Sequence, residues 1–414
     1  MRGRPIKFFL RCWLGVFLSF FLSPQVQASD IVIGMSAAFS GPSSALGIEL
    51  YRGSMAYLAE VNRTGGVNGR RIVIKAYDDR YDPVPAVENT IALIEKDEVF
   101  LLFDYVGTPT VTRVLPLLKR YSDKRISLFF PYTGAQPQRE APYAEFVFNL
   151  RPSYRQETEG LVDNFVRIGR KRIAVFYQVD AYGRSGWDGV RRALEKHGLT
   201  LVGETTYRRG ARYEQSFAEQ VGILQRTHPD AIISIGSYAA AAAFIRDTRD
   251  AGWDVPIANV SFVGSSWMLN LLLESGKARG KDYTTNLINS QVVPSYEDTS
   301  LPAVRQYREL IDKYNPTPPQ ELMEKGYKPL RYSFISLEGF LNAKLLVEIL
   351  KKMGTALDKA RVSEAAEAMK DYNIGIDVPI SFAPQKHQGL DTVYYTTVQD
   401  GRFVPLGDWQ EWEK

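Results

Sequence analysis

A chain of 414 residues with 51 Lys+Arg against 47 Asp+Glu is too long for one ordinary core. It is also too evenly charged to carry the basic footprint of a nucleic-acid or anionic-membrane partner. Its single cysteine excludes a disulfide framework.

The first predicted element is a targeting segment. Arg2, Arg4, Lys7 and Arg11 are interleaved with and followed by an apolar run ending near Leu22, and Val26-Gln27-Ala28 supplies an A-x-A-like site. A basic head, an apolar middle and that site predict a secretory signal peptide cut after about Ala28, residues 1–28. The run is short for a membrane span of about 20 residues. Cys12 lies inside the segment rather than at a cleavage site, so no lipid anchor is expected on it. Four basic residues leave with the signal, so 47 remain against the 47 acidic ones. The mature chain, about 390 residues, is neutral and cysteine-free, and two domains are expected.

From residue 31 onward one pattern repeats. Apolar runs predict strands at 31–36, 72–77, 99–103, 126–130, 173–177, 231–235 and 257–263. Helical periodicity falls between them at 48–62, 85–96, 111–121, 157–168, 186–197, 213–227 and 239–251. Gly65-Gly66, Gly198 and Gly252 mark helix ends. Buried strands alternating with helices predict doubly wound parallel sheets covered on both faces.

Ligands in such sheets sit beyond the carboxyl ends of the strands. Six loops fall there: FSGPSSALG (39–47), DYVGTPT (104–110), PYTGAQ (131–136), QVDAYGRSG (178–186), IGSYAAA (235–241) and VSFVGSS (260–266). Small residues allow close backbone approach, hydroxyls donate, and tyrosines give flat walls. Three loops precede residue 150 and three follow it, which predicts two similar lobes facing one cleft.

Catalytic and phosphate readings fail on spacing. The opening loop is neither G-x-x-x-x-G-K-[ST] nor G-x-G-x-x-G with an acidic residue about 20 positions on. No G-x-S-x-G stands at a strand-to-helix elbow; GSSWM (264–268) lacks the second glycine. His197, His228 and His387 lie outside the post-strand loops and read as solvated helix or turn residues. There is no H-E-x-x-H, no His/Cys cluster and no EF-hand loop. Neither catalysis, nor a cofactor, nor a metal is expected.

Taken together, IVIGMSAAFSGPSSALG, NRTGGVNGRRI followed by DD-x-x-DP, FDYVGTPTVTRVLPL, FFPYTGAQ, KRIAVFYQVDAYGRSGWDGV, AAAFIRDTRDAG and YSFISLEGFLNAKLLVEIL resemble type I periplasmic binding proteins. The branch is similar to the Leu/Ile/Val-binding receptors of branched-chain amino acid ABC transporters, and the similarity runs from about residue 31 to about 398. The resemblance implies two α/β lobes joined by three crossovers, with 29–150 plus 293–389 in the N-terminal lobe and 151–292 plus 390–414 in the C-terminal one. It implies hinge closure on a small ligand, with an inner-membrane permease reading the closed form.

Residue by residue, the resemblance places a carboxylate-binding hydroxyl at Thr108, beside Val106 and Gly107. Backbone contacts fall on Tyr132, Thr133 and Gly134, with Thr133 as side-chain donor. Tyr182 and Tyr238 supply aromatics, Phe262 and Val263 the sixth loop, and Ser43, Ser44 and Leu46 the opening loop. Thr108 and Thr133 also fit as helix caps, Tyr182 and Tyr238 as lobe-packing rings, and Leu46 as core. Amino-acid-binding relatives place an acid for the ammonium where this chain has Val263. A buried ammonium without a carboxylate is costly. Asp104 and Asp180 are the candidate substitutes, Asp104 also fitting as a loop brace.

The expectation is therefore a monomeric periplasmic solute receptor for a branched-chain amino acid or related carboxylate, aromatic or aliphatic. A sensor subunit presenting its closed form to a membrane receptor is the alternative, and an exported α/β hydrolase lacks a nucleophile and base. A sugar-responsive transcription regulator is disfavoured by the signal peptide and the missing helix-turn-helix. Arg208, Arg209 and Arg212 read as solvated, 314–329 as a surface loop or permease-facing insertion, and 410–414 as a frayed end.

Overall fold

The computed structural model describes residues 3 and 29–413. Apart from Gly3, the expected signal segment, with Cys12 and the Ala28 site, lies outside the described residues. The chain opens with β1 (Ile31–Ala37), α1 (Ser44–Arg63), β2 (Ile72–Asp78), α2 (Pro83–Glu95), β3 (Leu101–Phe103), α3 (Thr108–Arg120), β4 (Leu128–Phe129) and β5 (Val147–Phe148). Next come α4 (Tyr154–Arg167), β6 (Ile173–Gln178), α5 (Ala181–Lys196), β7 (Gly203–Tyr207), α6 (Ala218–Gln225) and β8 (Ala231–Ile235). α7 (Tyr238–Asp250), β9 (Ile257–Asn259), α8 (Ser265–Arg279) and β10 (Leu287–Gln291) follow, then α9 (Pro302–Tyr314), α10 (Phe334–Lys352) and α11 (Val362–Glu367). The chain ends with β11 (Tyr394–Gln399) and β12 (Arg402–Pro405).

The α/β reading holds. One sheet has the order β2-β1-β3-β4-β5 and is parallel throughout. The other has the order β12-β11-β10-β9-β8-β6-β7, with only β11 running antiparallel to its neighbours, β10 and β12. Each order reverses once, between β1 and β3 and between β6 and β8, and the loops leaving strands at such a reversal are where this kind of sheet receives a ligand.

The chain passes between the sheets at 149–153, at 292–301 and ahead of β11. The first and third passages run side by side. Asn149 N–H donates to the His387 carbonyl (2.7 Å), and Gly389 and Leu390 N–H donate to the carbonyls of Asn149 and Leu150 (2.9 Å each).

α10 lies against α1 with backbone on backbone. A Cβ at Gly53 would stand 1.8 Å from the Ser336 carbonyl oxygen, and one at Gly339 would stand 2.2 Å from that of Leu50. Only hydrogen fits at either position, so the two helices meet through reciprocal glycines. α10 is buried on nearly every face, which explains its long apolar run.

Several boundaries differ from the sequence reading, and four of the differences have a visible cause. The helix expected over 213–227 starts only at Ala218, because Arg246 holds the carbonyls of Tyr213 and Gln215 in an irregular turn. The strand expected to reach 263 stops at Asn259, and Ser261–Val263 is a 3-10 turn closed by Gly264 at φ 72. The strand expected over 126–130 is two residues long, since Phe130 takes φ 55. The tail is docked rather than frayed: Trp409 packs edge-on against Phe165 at 5.5 Å, and the Trp412 carbonyl accepts from Arg170 Nε.

A Gly53→Ala variant forces the two helices apart and is expected to lose about 2–3 kcal/mol, read as a lower denaturation midpoint. Gly222→Ala, on α6 with only Arg226 Nη1 nearby at 3.7 Å, is expected to gain about 0.5–1 kcal/mol in the same measurement.

Candidate functional site

The crevice is built from the DD-x-x-DP stretch upward. Asp78 Oδ1 accepts the N–H groups of Phe39, Ser40 and Arg80, while Asp79 accepts Ser36 Oγ (2.8 Å) and Tyr81 N–H (2.9 Å). These bonds hold Arg80 and Tyr81 at φ 55 and 60, a left-handed pair that neither residue favours. The turn sends the Tyr81 ring inward, against the backbone at Gly107. A Cβ at Gly107 would stand 2.2 Å from that ring, and Gly107 itself has φ 105, so glycine is required there twice over. Asp82 then caps α2 through Val84 N–H.

Gly107 leads into Thr108, the first residue of α3, where first-turn N–H groups lack intrahelical partners. Thr108 Oγ1 and Thr133 Oγ1 share a hydrogen bond of 2.7 Å, and Tyr154 Oη is 3.4 Å from Thr108 Oγ1. Val106 bridges to Tyr132, whose carbonyl accepts Gly107 N–H. Gly134 receives Tyr154: its carbonyl accepts Tyr154 N–H at 2.7 Å, and a Cβ would meet the ring at 2.6 Å. Three hydroxyls thus converge at one helix start, and all three residues are buried.

The second sheet supplies the facing wall. Tyr182, at the start of α5, donates from Oη to the Gly236 carbonyl (3.3 Å). Phe262 sits among the rings of Tyr182 (4.4 Å between centroids), Tyr132 (5.3 Å) and Tyr81 (5.9 Å). Val263 is buried in the same 3-10 turn. At the other end Leu46 faces Gly264, and Tyr238 Oη accepts Ala45 N–H at 3.4 Å beside Ser43 and Ser44. Burial pushes the hydroxyls of Tyr81, Tyr132 and Tyr182 well above their usual range, so all three stay neutral.

The facing loops also bond to each other. Tyr132 Oη donates to the Ser261 carbonyl (3.3 Å), and Gln178 Nε2 donates to Tyr81 Oη (3.4 Å). Arg209 is not simply solvated: its guanidinium is 3.2 Å from Asp82 and 3.6 Å from Asp180, over the Tyr81 ring. Arg208 and Arg212 are exposed, as read from sequence. The 314–329 loop is more than surface covering. Glu324 accepts Gly41 N–H at 2.9 Å, and Tyr327 bonds Glu49 and stacks 5.3 Å from Trp267.

A two-sheet α/β chain whose strand-end loops close on each other across a crevice is the architecture of a binding protein. The profile of the periplasmic binding protein family matches residues 30–402. The chain belongs to that family. Its members bind; they are not enzymes. A curated relative, "Leu/Ile/Val-binding protein homolog 3" of Brucella melitensis biotype 1, is 24% identical over 280 residues, 66% of this chain and 74% of the relative. The crystal structure of a "possible leucine/isoleucine/valine-binding protein" from Rhodopirellula baltica SH 1 superposes with TM-score 0.82 at 28% identity, covering 95% of this chain and all of that one. A "fatty acid ABC transporter substrate-binding protein" from Thermomonospora curvata shares the fold, with TM-score 0.76, 20% identity and 91% of each chain covered.

Within this binding protein the two acids expected near an ammonium have other work. Asp104, at φ 54, accepts Ser54 Oγ (2.5 Å) and Asn342 Nδ2 (2.7 Å), so it braces its loop. Asp180 caps α5 through Tyr182 N–H and accepts Gln178 Nε2. Among the described residues no group of three or more His, Cys, Asp or Glu is placed to hold a metal. His387 is not a solvated turn residue, since its ring stacks on Phe148 at 3.9 Å.

Tyr81, Tyr154 and Arg151 are cleft-side residues that the sequence reading did not single out. Tyr154 had a signal: Ser153-x-x-Gln156 is a capping box that starts α4 one residue before Tyr154's turn. Arg151, fully buried in the first passage, lies 4.5 Å over the Tyr132 ring and bonds Ser261 Oγ. Its Nε is 3.6 Å from Glu338, and Nε and Nη1 have no hydrogen-bond partner.

Burial pushes the Asp79 and Glu338 carboxyls up to about 7 and lifts Asp104 well above its usual range. A raised carboxyl holds its proton in the fold after the unfolded chain has released it. Its stabilising share is full below about pH 4 and lost as pH rises through about 7. Stability is therefore expected to fall between pH 5 and 7.5. Glu338→Gln should flatten that slope in denaturation midpoints taken across the range.

Proposed function

We propose that this chain is the solute receptor of an ABC importer, acting in the periplasm and delivering a small carboxylate to a membrane permease. The observation that carries the reading is the convergence of Thr108, Thr133 and Tyr154 hydroxyls at the start of α3. A carboxylate there would accept charge-assisted bonds of about 1.5–3 kcal/mol each. On this reading the six loops read from sequence as one cleft would meet around that point, with Tyr132, Gly134, Tyr182 and Phe262 as its nearer walls. Ser43, Ser44, Leu46 and Tyr238 would line its far end, and Val106 and Gly107 its floor.

The two moving bodies are 29–150 with 293–389 and 151–292 with 390–414, and the three passages between them form the hinge. Contacts such as Tyr132 to Ser261 and Arg209 to Asp82 belong to the closed arrangement, and a ligand stabilises it by binding it better than the open one. The ABC-transport and branched-chain amino acid labels come from relatives and support the class of cargo. They do not fix the molecule.

A thermal-shift screen of ligand-stripped protein against amino acids, aromatic acids and aliphatic acids should find a ligand, since one at 100 times its Kd adds about 2.7 kcal/mol. Thr108→Ala is expected to weaken that ligand more than tenfold by titration calorimetry with an unchanged circular-dichroism spectrum; unchanged affinity removes the carboxylate assignment. Arg209→Gln is expected to speed ligand release severalfold in stopped flow, with a melting temperature close to that of the parent.

A further inference from the structure

The chemistry of the cleft walls bears on what the rest of the ligand can be. An ammonium group buried there would need a carboxylate with a free oxygen, because an unpaired buried charge is heavily penalised. Four nearby acids have both oxygens bonded, and the fifth, Glu338, accepts no hydrogen bond among the described residues but is ion-paired with an arginine. Asp104 has both oxygens bonded, by Ser54 and Asn342, and Asp180 has both bonded, by Tyr182 N–H and Gln178. Asp79 accepts Ser36 and Tyr81. Glu157 accepts Ser261 N–H and Ser290 Oγ on one oxygen and Ser261 Oγ on the other. Glu338 faces the Arg151 guanidinium.

Charge on the hydroxyl side runs the other way. Arg139 is bonded to the carbonyls of Thr133, Ala135, Arg151 and Pro152 and to Gln388 Oε1, with no carboxylate within ion-pair distance among the described residues. Arg151, beside Tyr132, has two nitrogens without a hydrogen-bond partner and is ion-paired with Glu157 at 3.9 Å and Glu338 at 3.6 Å. Burial pushes the Glu338 carboxyl up to about 7. The loop that carries Thr133 is thus set beside two arginines, one of them without a carboxylate partner, and every acid nearby already has a partner of its own. The remaining walls are rings: Tyr81, Tyr132, Tyr182 and Phe262.

Resting on the reading that a carboxylate occupies this cleft, we propose that the ligand is a monocarboxylate with no ammonium group and an apolar body. The carboxylate goes to the Thr108 and Thr133 hydroxyls, and the body lies against the rings around Phe262. The label of an amino acid receptor then does not describe this chain's cargo.

The test uses matched pairs on the ligand-stripped mature protein: 3-phenylpropanoate against phenylalanine, and 4-methylpentanoate against leucine, with 3-phenylpropanamide as the uncharged control. Thermal shift ranks them, and calorimetry gives Kd. The expected result is that the amine-free acid of at least one pair binds ten times or more tighter than its amino acid, and that the amide does not bind. An amino acid that binds as well as its amine-free partner, or better, overturns the inference and leaves the carboxylate reading standing. An amide that matches the acid, or no binding by any acid, fails the carboxylate reading itself and the inference with it.

Discussion

The site depends on the contact between α1 and α10. Reciprocal glycines bring the two helices together, and Ser54, next to Gly53, then reaches across. Its hydroxyl donates to the Gly339 carbonyl at 2.9 Å and to Asp104 at 2.5 Å. One turn along α10 from Glu338, Asn342 bonds the other Asp104 oxygen. Asp104 is thereby fixed in a left-handed conformation at the end of β3, and the loop that follows is aimed so that Gly107 meets Tyr81 and Thr108 meets Thr133. The packing of two helices thus sets the position of hydroxyls inside the cleft.

Most acids around the cleft organise backbone. Asp78 and Asp79 fold the Arg80–Tyr81 turn, Asp82 and Asp180 cap helices, and Glu157 holds the Ser261 loop. Each is an acceptor for donors that a loop would otherwise leave buried and unpaired. This explains why the charged DD-x-x-DP turn can border an interior dominated by hydroxyls and rings. It also separates two meanings of a buried acid. One is a partner for something that arrives, the other a partner for the chain itself.

The sheets were legible because a strand buried on both faces announces itself as a short apolar run, as at 231–235, which matches β8 to the residue. Residues at the loop tips were legible as a set, since strand ends in this fold point one way. Their roles were not. Asp104 fitted either a ligand partner or, slightly better, a loop brace, and the deciding partners, Ser54 and Asn342, lie 50 and 238 positions away. Tyr81 escaped notice because its inward course comes from two left-handed residues held by side chains upstream. Arg151 escaped because a lone arginine between Leu150 and Pro152 carries no periodic signal. The helix expected from 213 failed for a similar reason: Arg246, on another helix, takes the carbonyls that intrahelical bonds would have used.

The paired passages between the sheets have a mechanical consequence. Residues 149–150 and 387–390 are bonded as neighbouring parallel strands, and Arg139 stitches both to the Thr133 loop. A ribbon of two bonded strands flexes readily across its flat face but resists stretching and shear. The two sheets are therefore connected by something closer to a leaf spring than to a pair of strings. On the proposed hinge reading, relative motion would favour bending of this ribbon, and its stiffness would be set beside the very loop that would hold the cargo.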